Sequence, residues 1–439
     1  MGSQRSPALA GIREASRAMN DLTLAVLALL VLGWSAVSER LAMWNITGPL
    51  LFTAAGFVLA NDQWGVVPVE LDAPSVHALA EITLALLLFA DAARVNLSTL
   101  RRNLLVPSRL LGIGLPLTVI LGSLTAAWLF HDFTWALAGF VGAALAPTDA
   151  ALSSQVINDE ALPLSVRRAL NVESGLNDGI VTPIVVFTLA VAAGQLGVTG
   201  DQHAETVIRP LFELGIGIGA GAAIGFIAAG LIALGYRRGW TQPGGRRLTA
   251  LAAALASFAV TLTIGGNGFI AAFVAGITFG SALPRSLPDR DAITELPELG
   301  GELLALVVWF LFGALLVPIA IEHFSPAVLV YAILSLTLLR MVPVAIALVR
   351  TPEDRATVLF MGWFGPRGLA SVVFALLAIE QLGASGAVDA AVSVVTLTVI
   401  LSVIAHGVSA GPLGRRFERR RNEATEPRDA PRARRRAHD

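Results

Sequence analysis

The chain has 439 residues, 55% of them hydrophobic and only 14% charged, which excludes an ordinary soluble domain and describes a polytopic membrane protein. It has no Cys, which excludes disulfides, thiolate metal sites and cysteine nucleophiles, and its six His are too scattered for a metal-ligand cluster. All 31 basic residues are Arg, and the net charge of −1 is a near-cancellation, so the information lies in where the Arg sit.

Apolar stretches of about 20 residues, separated by short polar or Pro/Gly-rich links, give thirteen candidate spans. They run at 21–37, 46–60, 76–93, 106–130, 134–153, 165–193, 206–235, 247–264, 267–283, 299–321, 326–349, 355–380 and 387–410. The second and ninth are short, and the weak break at Ile264-Gly265-Gly266-Asn267 separates the eighth from the ninth; fusing those two would leave twelve. The expected organisation is an N-terminal segment at 1–20, a transmembrane region at 21–410 and a basic disordered cytoplasmic tail at 411–439 that touches anionic lipid. With the tail inside, alternate links carry Arg40; Arg94, Arg101, Arg102 and Arg109; Arg167 and Arg168; Arg237, Arg238, Arg246 and Arg247; Arg285 and Arg290; Arg350 and Arg355. The opposite links carry only Arg209, as the positive-inside rule requires. An odd count puts the N-terminus outside, with Arg5, Arg13 and Arg17 against the trend. No small-residue cleavage site follows the first span, which is therefore expected to be retained.

In chain order, the first charge within a span is Asp91, at the end of the third, where it can serve an ion path, pair with Arg94 or cap the helix. The fifth span contains Ala146-Pro147-Thr148-Asp149, a helix breaker beside a charge. The sixth opens Asn171-Val172-Glu173-Ser174-Gly175-Leu176-Asn177-Asp178, with two carboxylates at or near membrane depth. A charge there costs about 2.5–3.5 kcal/mol at a helix centre, so such residues pair, face water or handle ions. At about 100° per residue, Ser174, Asn177 and Asp178 fall within about 100° of one another, while Glu173 lies about 140° from Asp178. One face offers a hydroxyl, an amide and a carboxylate; Glu173 needs a partner elsewhere, and Arg340, in the middle of the eleventh span, is the candidate for a structural ion pair. Asp178 has no Arg on its face. Burial favours the neutral form of a carboxylate, so this one can hold either a proton or a metal cation, and mutual exclusion of the two is antiport. The oxygen ligands Asp178, Asp149, Thr148 and Ser174, with carbonyls freed at Pro147, suit an alkali cation rather than a transition metal.

Gly217, Gly221 and Gly225 form a small-residue ridge in the seventh span for close helix packing. The twelfth span is interrupted at Phe364-Gly365-Pro366-Arg367-Gly368, again a breaker beside a charge. It lies seven spans after the fifth, so the two broken segments run in opposite directions, as inverted repeats require. His406, in the last span, reads as a packed core residue, and Trp44, Trp135, Trp240 and Trp363 read as an interfacial belt.

Together, Pro147-Thr148-Asp149, Glu173-Ser174-Gly175-Leu176-Asn177-Asp178, Arg340 and Gly365-Pro366-Arg367-Gly368 resemble the NhaP and animal NHE type of monovalent cation:proton antiporters, over about residues 20 to 410. The resemblance implies an all-α fold of thirteen helices in two inverted six-helix repeats with discontinuous crossing helices in the fifth and twelfth spans. It also implies core and dimerisation subdomains, a homodimer in the cell membrane and elevator-like alternating access. Asp178 would be the shared proton and cation carboxylate, Asn177 its structural neighbour, and Asp149, Thr148 and Ser174 further ligands. Glu173 with Arg340 would be a stabilising pair. Asp91 matches an acidic position of the family, and Arg367 would bring positive charge to the helix crossing or bind a carbonyl. The Asn-Asp pair implies one cation (Na⁺, Li⁺ or K⁺) per proton; no cofactor and no nucleic acid are expected, membrane lipid is the expected surrounding, and no soluble partner is inferable. Gly175, Ala150 and Pro366 depart from the family's usual residues. Alternatives are a sodium-coupled symporter of a small solute and an intramembrane hydrolase with Asp149 and Asp178 as its dyad.

Overall fold

Apolar sequence that does not close into a barrel crosses a bilayer only as helix, because no water is there to satisfy backbone N–H and C=O groups. The computed structural model describes residues 7–60, 65–67, 69, 74–95, 105–149, 152, 164–198 and 203–425, and these contain helices and turns with no strand. In chain order the helices are α1 (Pro7–Ala42), α2 (Gly48–Leu59), α3 (Pro74–Arg94), α4 (Leu105–Leu129), α5 (Trp135–Ala144), α6 (Leu164–Gln195) and α7 (His203–Arg237). They continue with α8 (Pro243–Thr263), α9 (Gly268–Ala282), α10 (Glu295–Leu311, carried on to Glu322), α11 (Pro326–Ala347), α12 (Arg355–Trp363), α13 (Leu369–Leu382) and α14 (Gly386–Thr425).

Among the described residues, eight of these are long and apolar enough to cross a membrane: α1, α3, α4, α6, α7, α10, α11 and α14. The shorter apolar helices include α2 and α9, on the two runs expected to be short, and α5 and α13, which stop or start at the Pro147 and Pro366 breaks. The weak break after α8 is real. Gly265 takes a φ of 74° that other residues resist, and the Asn267 side chain then caps α9 by accepting from the Ile270 N–H at 3.0 Å. Thr134 and Asp354 cap α5 and α12 in the same way, so both helices that lead into the breaks have fixed starts.

The core lies around α5 and α13, which are apolar on nearly every side and buried to match. The glycine ridge of α7 packs on the backbone of α9: a Cβ on Gly217, Gly221 or Gly225 would stand 2.7, 2.4 or 2.5 Å from the carbonyl oxygens of Asn267, Ala271 and Ala275. Gly276 and Gly280 bring the other side of α9 equally close to Phe89 and Ala93 of α3, which sets the depth of Asp91.

Three expectations change. The tail was expected to be disordered from 411, yet α14 stays helical through Thr425, because its Arg, Glu and Ala residues are good helix formers continuing an established helix; 426–439 lie outside the described residues. Arg109 does not sit in a link but inside α4, where it donates to Ala347 O at 3.3 Å and to Val349 O, complementing the carboxyl end of α11. Trp44, Trp135 and Trp240 are exposed as a belt requires, whereas Trp363 is half-buried and donates Nε1–H to Ser409 Oγ at 2.9 Å. His406 is buried as expected but hydrogen-bonded at both ring nitrogens. Residues 1–6, Arg101, Arg102 and Ala150 lie outside the described residues.

The ridge yields a controlled test. Gly221→Leu should lower stability by about 1–3 kcal/mol through overpacking, read as a fall in melting temperature in detergent. Gly219→Leu, two residues away with no atom within 4 Å of its would-be Cβ, should not lower melting.

Candidate ion-binding site

A broken helix leaves carbonyls at one end and N–H groups at the other without helical partners. Here the two breaks satisfy each other. The Asp149 N–H donates to Pro366 O at 2.8 Å, and the Leu369 N–H, first in α13, donates to Asp149 Oδ2 at 3.2 Å. Asp149 thus caps the positive end of α13. In return the Arg367 guanidinium reaches the negative end of α5, donating to Ala146 O at 2.7 Å, to Pro147 O at 3.2 Å and also to Ser335 O of α11 at 3.2 Å. Its charge reaches the crossing through contacts to carbonyls. Ser371 Oγ donates to Ala144 O at 2.6 Å and takes up another freed acceptor. Only glycine fits at 368, where a Cβ would stand 2.0 Å from Asp149 Oδ2.

The polar face of α6 meets the first break. Asn177 Nδ2 donates to Thr148 Oγ1 at 2.8 Å and to Thr148 O at 3.2 Å, and Ser174 Oγ lies 3.2 Å from Thr148 Oγ1. Asn177 and Thr148 are buried, while Ser174, Asp178 and Asp149 are half-buried. Asp178, adjacent to Asn177, has no hydrogen bond to its carboxylate from any described residue. Its backbone is fixed: the Thr182 hydroxyl donates to Asp178 O at 2.6 Å, and Gly179 lets the Phe273 ring lie flat against the helix.

Glu173 points the other way, as the helical angle requires, and pairs with Arg340 at 2.6 Å, both side chains 1% exposed. Gly365 backs onto this pair; a Cβ there would stand 2.6 Å from Arg340 Nε and 2.9 Å from Thr148 Cγ2. Arg340 therefore joins α11, α6 and the second break. Asp91 is exposed at the surface of the protein, and its carboxylate, Asp149 and Asp178 are close enough to influence one another electrostatically. Arg94 turns from Asp91 to Glu298 of α10, so the Asp91–Arg94 pair does not form. Gly175 faces the Asp91 backbone with a would-be Cβ 3.9 Å away, leaving open the space a larger residue would fill. Among the described residues no three His, Cys, Asp or Glu side chains are grouped closely enough to hold a metal ion. A cation at this place would rely on one or two carboxylates with hydroxyl and carbonyl oxygens, a weak hard-ligand set. Sequence reasoning missed Ser335, Ser371, Ser402 and His406. Ser335 offers its own carbonyl to Arg367, while the other three side chains contact freed backbone groups, and a lone Ser or His in an apolar run carries no signal of that.

Interrupted helices crossing inside an all-helical membrane protein, beside half-buried carboxylates, define an ion-transporter architecture. The chain belongs to the sodium/hydrogen exchanger family, whose transmembrane model matches residues 25–416. It is 25% identical over 404 residues to the K(+)/H(+) antiporter NhaP of Alkalimonas amylolytica, covering 90% of this chain and 67% of that protein. It is 29% identical over 348 residues to the Na(+)/H(+) antiporter NhaP of Pseudomonas aeruginosa, covering 75% and 79%. The Shewanella K(+)/H(+) antiporters NhaP2 are longer still, and the match spans 57% of the protein from strain MR-4. The fold matches the sodium proton antiporter MjNhaP1 from Methanocaldococcus jannaschii at pH 8, with a TM-score of 0.70, 21% identity and coverage of 91% of this chain and 99% of that one. Its relatives are transporters, not enzymes, which sets aside the hydrolase alternative.

Glu173→Gln should cost about 3–5 kcal/mol, because it leaves the Arg340 charge buried without a counter-ion. Thermal unfolding in detergent should show this, and Glu173→Gln with Arg340→Gln should recover much of it.

Proposed function

We propose that this protein exchanges a monovalent cation for a proton across the cell membrane, one for one and without net charge movement. Asp178 is the shared carboxylate. Proton and cation compete for it: the protonated acid has no charge to hold a cation, and a bound cation holds the carboxylate ionised. The observation that carries the reading is the asymmetry of α6. Glu173 is neutralised by Arg340, whereas the Asp178 carboxylate has no described hydrogen-bond partner and stands beside a neutral amide that is already committed to Thr148. Its charge is left for a mobile ligand. Thr148, Ser174 and Asp149 supply further oxygens, Asn177 holds Thr148 in place, and exposed Asp91 lies on the path from the cytoplasmic side.

Na⁺ is the proposed cation, with Li⁺ or K⁺ as the other candidates; the relatives named for sodium and for potassium favour neither. Thirteen spans in two inverted repeats would place the N-terminus outside and the C-terminus in the cytoplasm, in keeping with the Arg distribution. Elevator-like movement of the crossing helices and α6 against a dimerisation subdomain would alternate access. The exposed apolar face of α1, including Leu24, Leu29 and Leu32, is available to lipid or a second copy, and a homodimer is the proposed state.

Proteoliposomes loaded with a pH dye test this under imposed Na⁺, Li⁺ and K⁺ gradients. Wild type should move protons with at least one cation, at a rate insensitive to an imposed membrane potential, and Asp178→Asn should abolish the signal. Exchange surviving in Asp178→Asn would remove that residue from the mechanism; wild-type protein coupled instead to a small solute would favour the symporter.

A further inference from the structure

The second break is held from α14 as well as by the first break. The Phe364 N–H closes α12 on Phe360 O at 2.9 Å and the Gly365 N–H turns back to Trp363 O at 2.8 Å; in addition, two backbone groups four positions apart are gripped by two α14 side chains, also four positions apart. The Arg367 N–H donates to Ser402 Oγ at 2.7 Å, and Trp363 O lies 2.8 Å from His406 Nε2. The two side chains are joined to each other, with Ser402 Oγ 3.2 Å from His406 Nδ1, and that nitrogen also lies 2.8 Å from Ser402 O. A carbonyl oxygen only accepts, so each ring nitrogen of His406 is aimed at an acceptor, Nε2 at Trp363 O and Nδ1 at Ser402 O, and the Ser402 hydroxyl, which accepts from the Arg367 N–H, is free to donate to Nδ1 when that nitrogen carries no hydrogen. His406 is 2% exposed and packs against the Trp363 and Phe364 rings, with centroids 5.3 and 6.3 Å away, so its place in the clasp is sterically fixed.

What lies between the gripped points gives the clasp its consequence. Pro366 O receives the Asp149 N–H, and Leu369 N, just past the clasp, donates to Asp149 Oδ2. We infer that His406 and Ser402 are positioning residues that set the Asp149 carboxylate through the backbone of residues 363–369, without touching the ion themselves. This rests on the antiport reading for its functional consequence, but not for its geometry. A merely space-filling His406 would need neither ring nitrogen, and an apolar residue of similar size would replace it.

Ser402→Ala, His406→Phe and His406→Gln separate these possibilities in the full-length protein. Hydrogen exchange at the Arg367 and Leu369 amides reads the clasp whether or not the protein transports. It should quicken on the order of tenfold in Ser402→Ala and His406→Phe and stay near wild type in His406→Gln, whose amide can donate to Trp363 O and accept from Ser402. In proteoliposomes the same two variants should raise the apparent KM for the cation about fivefold while changing the maximal rate less than twofold, with His406→Gln again close to wild type. Unchanged amide exchange in both Ser402→Ala and His406→Phe would overturn the clasp, as would a His406→Phe protein whose KM matches wild type. A wild type that moves no protons with any alkali cation would instead overturn the antiport reading, and amide exchange would still decide the clasp.

Discussion

The fold depends on an exchange of charge between two interrupted helices. Asp149, from the break after α5, sits at the amino end of α13; Arg367, from the break before α13, sits at the carboxyl end of α5. Each break supplies the charge that the other's helix dipole favours. The crossing also takes in the freed backbone groups: Ala144 O, Ala146 O, Pro147 O, Trp363 O, Pro366 O, Arg367 N and Leu369 N all find partners. A buried polar group left unpaired costs about 1–3 kcal/mol. Several such losses would rival the whole stability of a folded domain, about 5–15 kcal/mol. The broken helices persist because the crossing is closed as a unit.

That closure leaves a specific chemical asymmetry. Arg367 and Asp149 are engaged by the backbone at the crossing, Glu173 is paired with Arg340, and Asn177 is spent on Thr148. Asp178 stands apart, half-buried, on a helix face already fixed by Thr182 and Phe273. A rigid frame around one carboxylate that no described residue hydrogen-bonds is what competition between a proton and a weakly held cation requires, since ligands that collapsed onto the carboxylate would exclude the ion. Asp149 takes a double part, capping α13 with one oxygen while standing among the proposed ligands, so the geometry of the site and the integrity of the crossing are linked.

Much of this was readable from residues alone, for identifiable reasons. Pro147 and Pro366 beside single charges marked the breaks because proline cannot continue a helix hydrogen-bond ladder and intramembrane charge is costly. The opposite facing of Glu173 and Asp178 followed from helical rotation, and Arg340 was the charge left over for Glu173. The α7 ridge followed from glycine spacing. What escaped were contacts that join side chains to backbone across distant segments: Ser371 to Ala144, Ser402 and His406 to the second break, Trp363 to Ser409. Serine and histidine in apolar runs look the same whether they bond to their own helix or to a neighbour's freed carbonyl. The helical continuation through 425 escaped because charge-rich composition speaks to solvation more directly than to the propagation of a helix already formed.

The central claim is that one carboxylate holds either a proton or a cation. Calorimetric titration of the purified protein with Na⁺ or K⁺, in buffers of different ionisation enthalpy, counts protons released per cation bound. Competition at Asp178 predicts about one proton released per cation at a pH where the site is protonated, with release and binding both lost in Asp178→Asn. Cation binding that releases no proton at any pH would contradict it.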